Sequence, residues 1–238
     1  MQKNYWILMT VLCCCSQLTL EAQNNDQWAQ LSRYAQANAD LKAANQTPPT
    51  AVFIGNSITQ HWYAMRPDFF TANNYVGRGI SGQTTPQFVS RFRADVLALN
   101  PKIVVINGGI NDIAENTGAY DPDFTFGSIQ SMAELAQANG IAVILTSVLP
   151  ADHIPWRTEI ANVPEKISAL NAAIKAYAAR KGFEYLDYYT QMADEQKAMT
   201  ALYTSDGVHV TDDGYQVMEA MVKKCIDEWL EKHVSTGK

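Results

Sequence analysis

Residues 52–62 read VFIGNSITQHW, and how this stretch is read decides the fold. Ala51, Val52, Phe53 and Ile54 form an apolar run without polar alternation, the pattern of a strand covered on both faces. Gly55-Asn56-Ser57 then ends the run. A serine at such a point has two readings. It can cap a helix, offering its hydroxyl to free backbone N–H groups, or it can be a nucleophile held up at the edge of a sheet. The choice depends on what the rest of the chain brings to the same edge.

Beyond this stretch the chain alternates. Short apolar runs at 51–55, 74–77, 103–107, 141–148 and 183–187 are separated by longer segments of helical periodicity. From Pro164, the residues Ile167, Leu170, Ile174 and Tyr177 fall on one helical face, and Gly182 suits the exit. A last helix over about 212–232 carries a wide apolar stripe of Val217, Met221, Val222, Cys225, Trp229 and Leu230, a core-packing face. An opening helix over about 26–45 (Trp28, Leu31, Ala35, Leu41) is broken by TPPT at 47–50. Strands buried on both faces demand helices on both sides of a parallel sheet. The expected architecture is therefore a three-layer α/β/α sandwich of about five parallel strands, in one domain over 23–238. Ligands of such sheets bind outside the carboxyl ends of the strands.

The loops at those ends are GNSIT after the first run, GRGISGQTT after the second, NGGIND after the third, and SDGVHVTDDGY near the end. Asp206 and His209 stand three apart, so on one tight turn the carboxylate can hold the imidazole Nδ1–H and leave Nε2 as a base. Ser57 is the serine at the same edge. General-base help of this kind contributes ~10²–10⁴-fold. Acyl transfer also builds charge on a carbonyl oxygen, for which the Ser57 N–H, the Gly82 N–H and the Asn111 side-chain amide would be donors.

These four blocks resemble those of the SGNH hydrolases, the GDSL-type esterases and lipases, in order and spacing over essentially the whole chain after residue 22. The resemblance implies a flavodoxin-like sheet and a serine esterase without a cofactor. It further implies Ser57 as nucleophile, Gly82 and Asn111 as oxyanion donors, and Asp206 and His209 as orienter and base. GISGQTT is similar to the acetylhydrolase branch related to platelet-activating-factor acetylhydrolases. One position departs: Asn56 stands where the G-D-S-L motif has aspartate.

Other candidates carry plainer readings. Gly79 reads as structural, Asp112 as pairing within its own loop, and His61 as a surface residue. His153, Trp156 and Arg157, in LPADHIPWR after the fourth strand, and Trp62, after the nucleophile turn, are candidate substrate contacts; the tryptophans would stack on a sugar. No H-x-x-x-H or C-x-x-C pair suggests a metal, and the glycines of GRGISG lack the lysine of a phosphate loop.

Lys3, the apolar run YWILMTVLCCC and LEAQ have the three-part pattern of a secretory signal cut after Ala22. Cys13, Cys14 and Cys15 would leave with it, so Cys225 alone cannot form an internal disulfide. Leu12 three places before Cys15 also fits acylation of that cysteine as a lipoprotein anchor. No other segment approaches membrane-spanning length. The net charge of −6 without basic runs argues against nucleic acid. The expectation is a secreted or periplasmic esterase removing short acyl groups, acetyl first, from glycans or small molecules. Acyl chains on lysophospholipid and a non-catalytic glycan-binding domain are the alternatives.

Overall fold

The computed structural model describes residues 25–44 and 47–234; the expected signal and its cysteines lie outside them. Five strands, β1 (Ala51–Gly55), β2 (Tyr75–Gly79), β3 (Ile103–Asn107), β4 (Ala142–Thr146) and β5 (Glu184–Leu186), form one parallel sheet in the order 2-1-3-4-5. Every residue of β1, β2 and β3 is buried, as runs without polar alternation require. Helices flank the sheet, and the three-layer sandwich is the fold.

Strand register levels the loops at the carboxyl edge. Gly55 pairs with Gly79 on one side and Asn107 on the other, so the loops leaving β1, β2 and β3 start at one height. The chain leaves β1 on one side for β2 and crosses to the other for β3. That reversal opens a crevice at the carboxyl ends of β1 and β3.

The helices begin on readable signals. Asn56 caps α3 (Ser57–Met65) by accepting the Ile58 N–H, and a short α4 (Pro67–Ala72) follows. Thr84 and Gln87 form a capping box on α5 (Thr85–Asp95). After the short α6 (Ile110–Ile113), Asp121 caps α7 (Pro122–Ala138). Pro164 stands in the first turn of α8 (Val163–Lys181), and the left-handed Gly182 ends it. A short α9 (Tyr188–Met192) precedes the long C-terminal α10 (Asp212–Val234). Trp62 of α3 stacks on Tyr215 of α10, and the Tyr215 hydroxyl donates to the Ile58 carbonyl, which docks α10 on α3.

Two expectations need correction. The opening helix over 26–45 is two helices, α1 (Asn25–Ala29) and α2 (Ala35–Ala43), separated at Gln30, where φ is 51°. Instead of continuing a helical ladder, the carbonyls of Trp28 and Ala29 accept side-chain amides of Gln87 and Gln83. β2 runs to Gly79 rather than 77, because Arg78 is a strand residue whose charge is buried against Asn38.

Candidate active site

Ser57 opens α3 directly after β1 and is nearly buried. Its hydroxyl lies 3.0 Å from His209 Nε2, across 152 residues of sequence. His209 Nδ1 lies 2.7 Å from Asp206 Oδ2. The three-residue spacing works through a tight turn: Asp206 Oδ1 accepts the N–H groups of Val208 and His209, while Thr204 Oγ1 accepts from Gly207 and donates to the His209 carbonyl. Partial burial pushes the Asp206 pKa up, but the hydrogen bonds from the His209 N–H, the His209 ring and the Val208 N–H outweigh it and hold the carboxyl below its ordinary value. Asp206 is thus an anion facing the outer nitrogen of the imidazole.

The loops after β2 and β3 complete the floor. Gly82, at φ +79°, lies in the left-handed region, and no atom stands within 4 Å of where its Cβ would be. The loop is tied to α3 by the Ser81 N–H, which donates to Gln60 Oε1 at 2.7 Å. Asn111, buried in α6, donates from Nδ2 to the Gln83 carbonyl at 2.9 Å, which fixes the amide and leaves its second N–H. Ser57, Gly82, Asn111 and His209 share an open cleft of about 430 Å³, whose remaining lining is His61, Ser81, Asn116 and Trp156. A larger groove of about 670 Å³ runs between α4 and α10 and contains none of these groups; the chemistry favours the smaller cleft.

The four candidate substrate contacts separate. Trp156 is at the cleft, its ring 5.7 Å from that of His209 and its Nε1 donating to Asn116 Oδ1. Trp62 is not: it is 2% exposed, stacked between Phe69 and Tyr215, with Nε1 donating to Glu219. The reason is helical geometry. At about 100° per residue, position 61 sits about 40° from position 57 and position 62 about 140° away. His61 therefore shares the Ser57 face: it is exposed, as its surface reading had it, and it also lines the cleft, its ring 5.5 Å from that of His209. Its pKa is lowered by burial and by His209, against an opposing pull from Asp206.

His153 packs over Gly207, where a Cβ would meet its Cε1 at 2.9 Å, and pairs with Asp152; it does not line the cleft. Arg157 binds Glu159 and the Glu115 carbonyl, also outside the lining. Asp112 reaches beyond its own loop to the Thr85 N–H and hydroxyl at the start of α5. Burial raises its pKa despite those bonds. Gly79 is structural through close approach: a Cβ there would stand 2.2 Å from the Gln60 nitrogen. The residues that sequence reasoning missed are His61, Ser81 and Asn116. The i, i+4 step from Ser57 was the available signal for His61; Asn116 has none, since its loop carries no period.

Known proteins share this architecture. Residues 53–217 match the sequence model of the GDSL-like lipase/acylhydrolase family. A GDSL-like lipase from Bacteroides thetaiotaomicron VPI-5482 is 53% identical over 85% of this chain and 100% of its own, with a TM-score of 0.80. A candidate acylhydrolase from Bacteroides fragilis NCTC 9343 is 51% identical over 85% of this chain and 98% of its own, with a TM-score of 0.82. An acetylxylan esterase from Geobacillus stearothermophilus, 19% identical over 74% of this chain and 93% of its own, shares the fold at a TM-score of 0.60. No curated protein matches the chain. With the family match spanning well over half its length, this chain belongs to the GDSL-like lipase/acylhydrolase family.

Proposed function

We propose that the chain is an exported serine ester hydrolase that removes short acyl groups, acetyl foremost, from carbohydrate. The observation that carries the reading is the unbroken line from Asp206 Oδ2 through the His209 ring to Ser57 Oγ, with contacts of 2.7 and 3.0 Å. Ser57 Oγ attacks the ester carbonyl carbon while its proton passes to His209 Nε2. The carbonyl oxygen takes the negative charge and meets the Ser57 N–H, the Gly82 N–H and the free Asn111 amide N–H. Collapse breaks the bond to the alcohol oxygen, which leaves with the proton from His209. Water then gives a proton to His209 and attacks the acyl carbon; the second collapse returns that proton to Ser57 Oγ and frees the acid. Asp206, held ionised, stabilises the imidazolium in each half.

The cleft supports a small acyl group on a polar alcohol. Its lining holds one tryptophan, Trp156, of the two expected as sugar platforms, and several hydrogen-bonding groups in His61, Ser81 and Asn116. A deep apolar channel for a fatty chain would need a different lining. Turnover of p-nitrophenyl acetate should vanish in Ser57→Ala with the circular dichroism spectrum unchanged, and a fluorophosphonate probe should label wild type but not the variant. An unaffected rate would overturn the assignment; an unlabelled wild type would favour a non-catalytic binding domain. Across esters from acetyl to palmitoyl the rate should fall with length, and the reverse order would point to lysophospholipid. Export is tested by the mature N-terminus, expected at Gln23. Among the described residues no helix is long and apolar enough to cross a membrane.

A further inference from the structure

Gln83, the residue after Gly82, is 1% exposed, and both polar atoms of its side chain are bonded. Oε1 accepts from Arg91 Nε at 2.7 Å, and Nε2 donates to the Ala29 carbonyl at 2.7 Å. Its own main-chain carbonyl accepts Asn111 Nδ2. Arg91 has no exposed surface and spends its remaining donors nearby. Nη2 donates to the Gly55 carbonyl at 2.9 Å, and Nη1 to the Arg78 carbonyl at 2.8 Å and Asp95 at 3.0 Å. One guanidinium therefore ties together the strand end that leads into Ser57, the end of β2, and the loop that carries Gly82.

The other hand on Gln83 is the N-terminal arm, α1 and α2. Besides the Ala29 carbonyl, the arm offers the Trp28 carbonyl to Gln87 and the Tyr34 hydroxyl to the Gly79 carbonyl. Asn38 joins it to Arg78 and Asp95. The arm itself precedes residue 53, where the family match begins.

We propose that Gln83 is a positioning residue: gripped by Arg91 and by the main chain of the N-terminal arm, it fixes Gly82 and the Asn111 amide as oxyanion donors relative to Ser57. The inference rests on the esterase reading of the site. An unheld Asn111 amide can rotate its oxygen toward the developing charge; held by the Gln83 carbonyl, it keeps an N–H there. Donors set in place beforehand help most in the transition state, where the charge has formed, so their loosening lowers kcat rather than raising KM.

The test uses the full chain with p-nitrophenyl acetate and the variants Gln83→Leu, Asn111→Ala and their combination. Gln83→Leu should lose at least about tenfold in kcat with KM little changed, while the double variant loses far less than the product of the single losses, because both act on the same donor. A kcat within twofold of wild type, or losses that multiply in full as a general destabilisation would produce, overturns the proposal. Should Gln83→Leu not fold, Gln83→Glu keeps an acceptor for Arg91, loses the donation to Ala29, and is expected to show the same pattern of kcat, KM and coupling. Wild-type turnover that disappears in Ser57→Ala separates the two levels: where it is present and Gln83 variants are unaffected, only the clamp fails; where it is absent, the site reading fails and the clamp with it.

Discussion

Asn56 shows how a single position supports the proposed nucleophile. Its Oδ1 accepts the Ile58 N–H at 3.0 Å and so holds the first turn of α3, the turn that presents Ser57. Asn111 carries a more direct load. Asn111→Ala should lower kcat by about 10²–10³-fold, roughly 3–4 kcal/mol of transition-state stabilisation, with little change in KM, as steady-state kinetics would show. His61 gives a pH effect on stability. Burial and the neighbouring His209 lower its folded pKa, so near the ordinary histidine value of about 6.5 the unfolded chain binds more protons. Stability therefore falls as pH drops through that range and levels off below the folded pKa. Urea titrations at pH 7.5 and 5.5 should show a smaller loss for His61→Gln than for wild type.

The elements around the site are held by close backbone approach as much as by side chains. α3 crosses β2 so tightly that a Cβ on Gly79 would stand 2.2 Å from the Gln60 nitrogen, 2.6 Å from the Thr59 carbonyl carbon and 2.7 Å from the Asn56 oxygen. All three are main-chain atoms of the segment that starts with the cap of α3, so rotating a side chain cannot relieve the clash. Gly79→Ala should destabilise by about 1–3 kcal/mol, seen as a lower urea midpoint. It should also reduce kcat, because the helix that shifts carries Ser57 and Gln60, whose Oε1 holds the Ser81 N–H.

Across the molecule, two interfaces set the distance between the front and the tail of the chain. On one, α10 docks on α3 through Trp62, Tyr215 and Glu219, with Arg66 bound to both Glu219 and Asp212. On the other, the arm and Arg91 brace the loops after β1 and β2. Trp62→Ala should cost about 3–5 kcal/mol, read as a fall in the thermal unfolding midpoint, because it empties a large aromatic site and strips Glu219 of one partner. The same variant should not alter substrate affinity in chains that remain folded, since Trp62 faces the core rather than the cleft. A raised KM at unchanged stability would restore it as a substrate contact.

What could be read from the chain alone was local. Unalternating apolar runs marked β1, β3 and β4, shorter apolar stretches marked β2 and β5, and their spacing with helical segments implied a parallel sheet, because strands buried on both faces need helices on each side. Asp206 and His209 were readable as a pair because three residues fit one turn. Strand β2 was cut short because buried Arg78 looks polar, and the arm looked like one helix because the partners that its carbonyls take at the break, Gln83 and Gln87, lie more than fifty residues away. Tertiary structure alone decided the 3.0 Å contact between Ser57 and His209, the burial of Trp62 in the core rather than at the cleft, and the grip on Gln83. The physical reason is common to all three: local periodicity encodes which face of an element is apolar, whereas strand order and helix docking determine what that face meets.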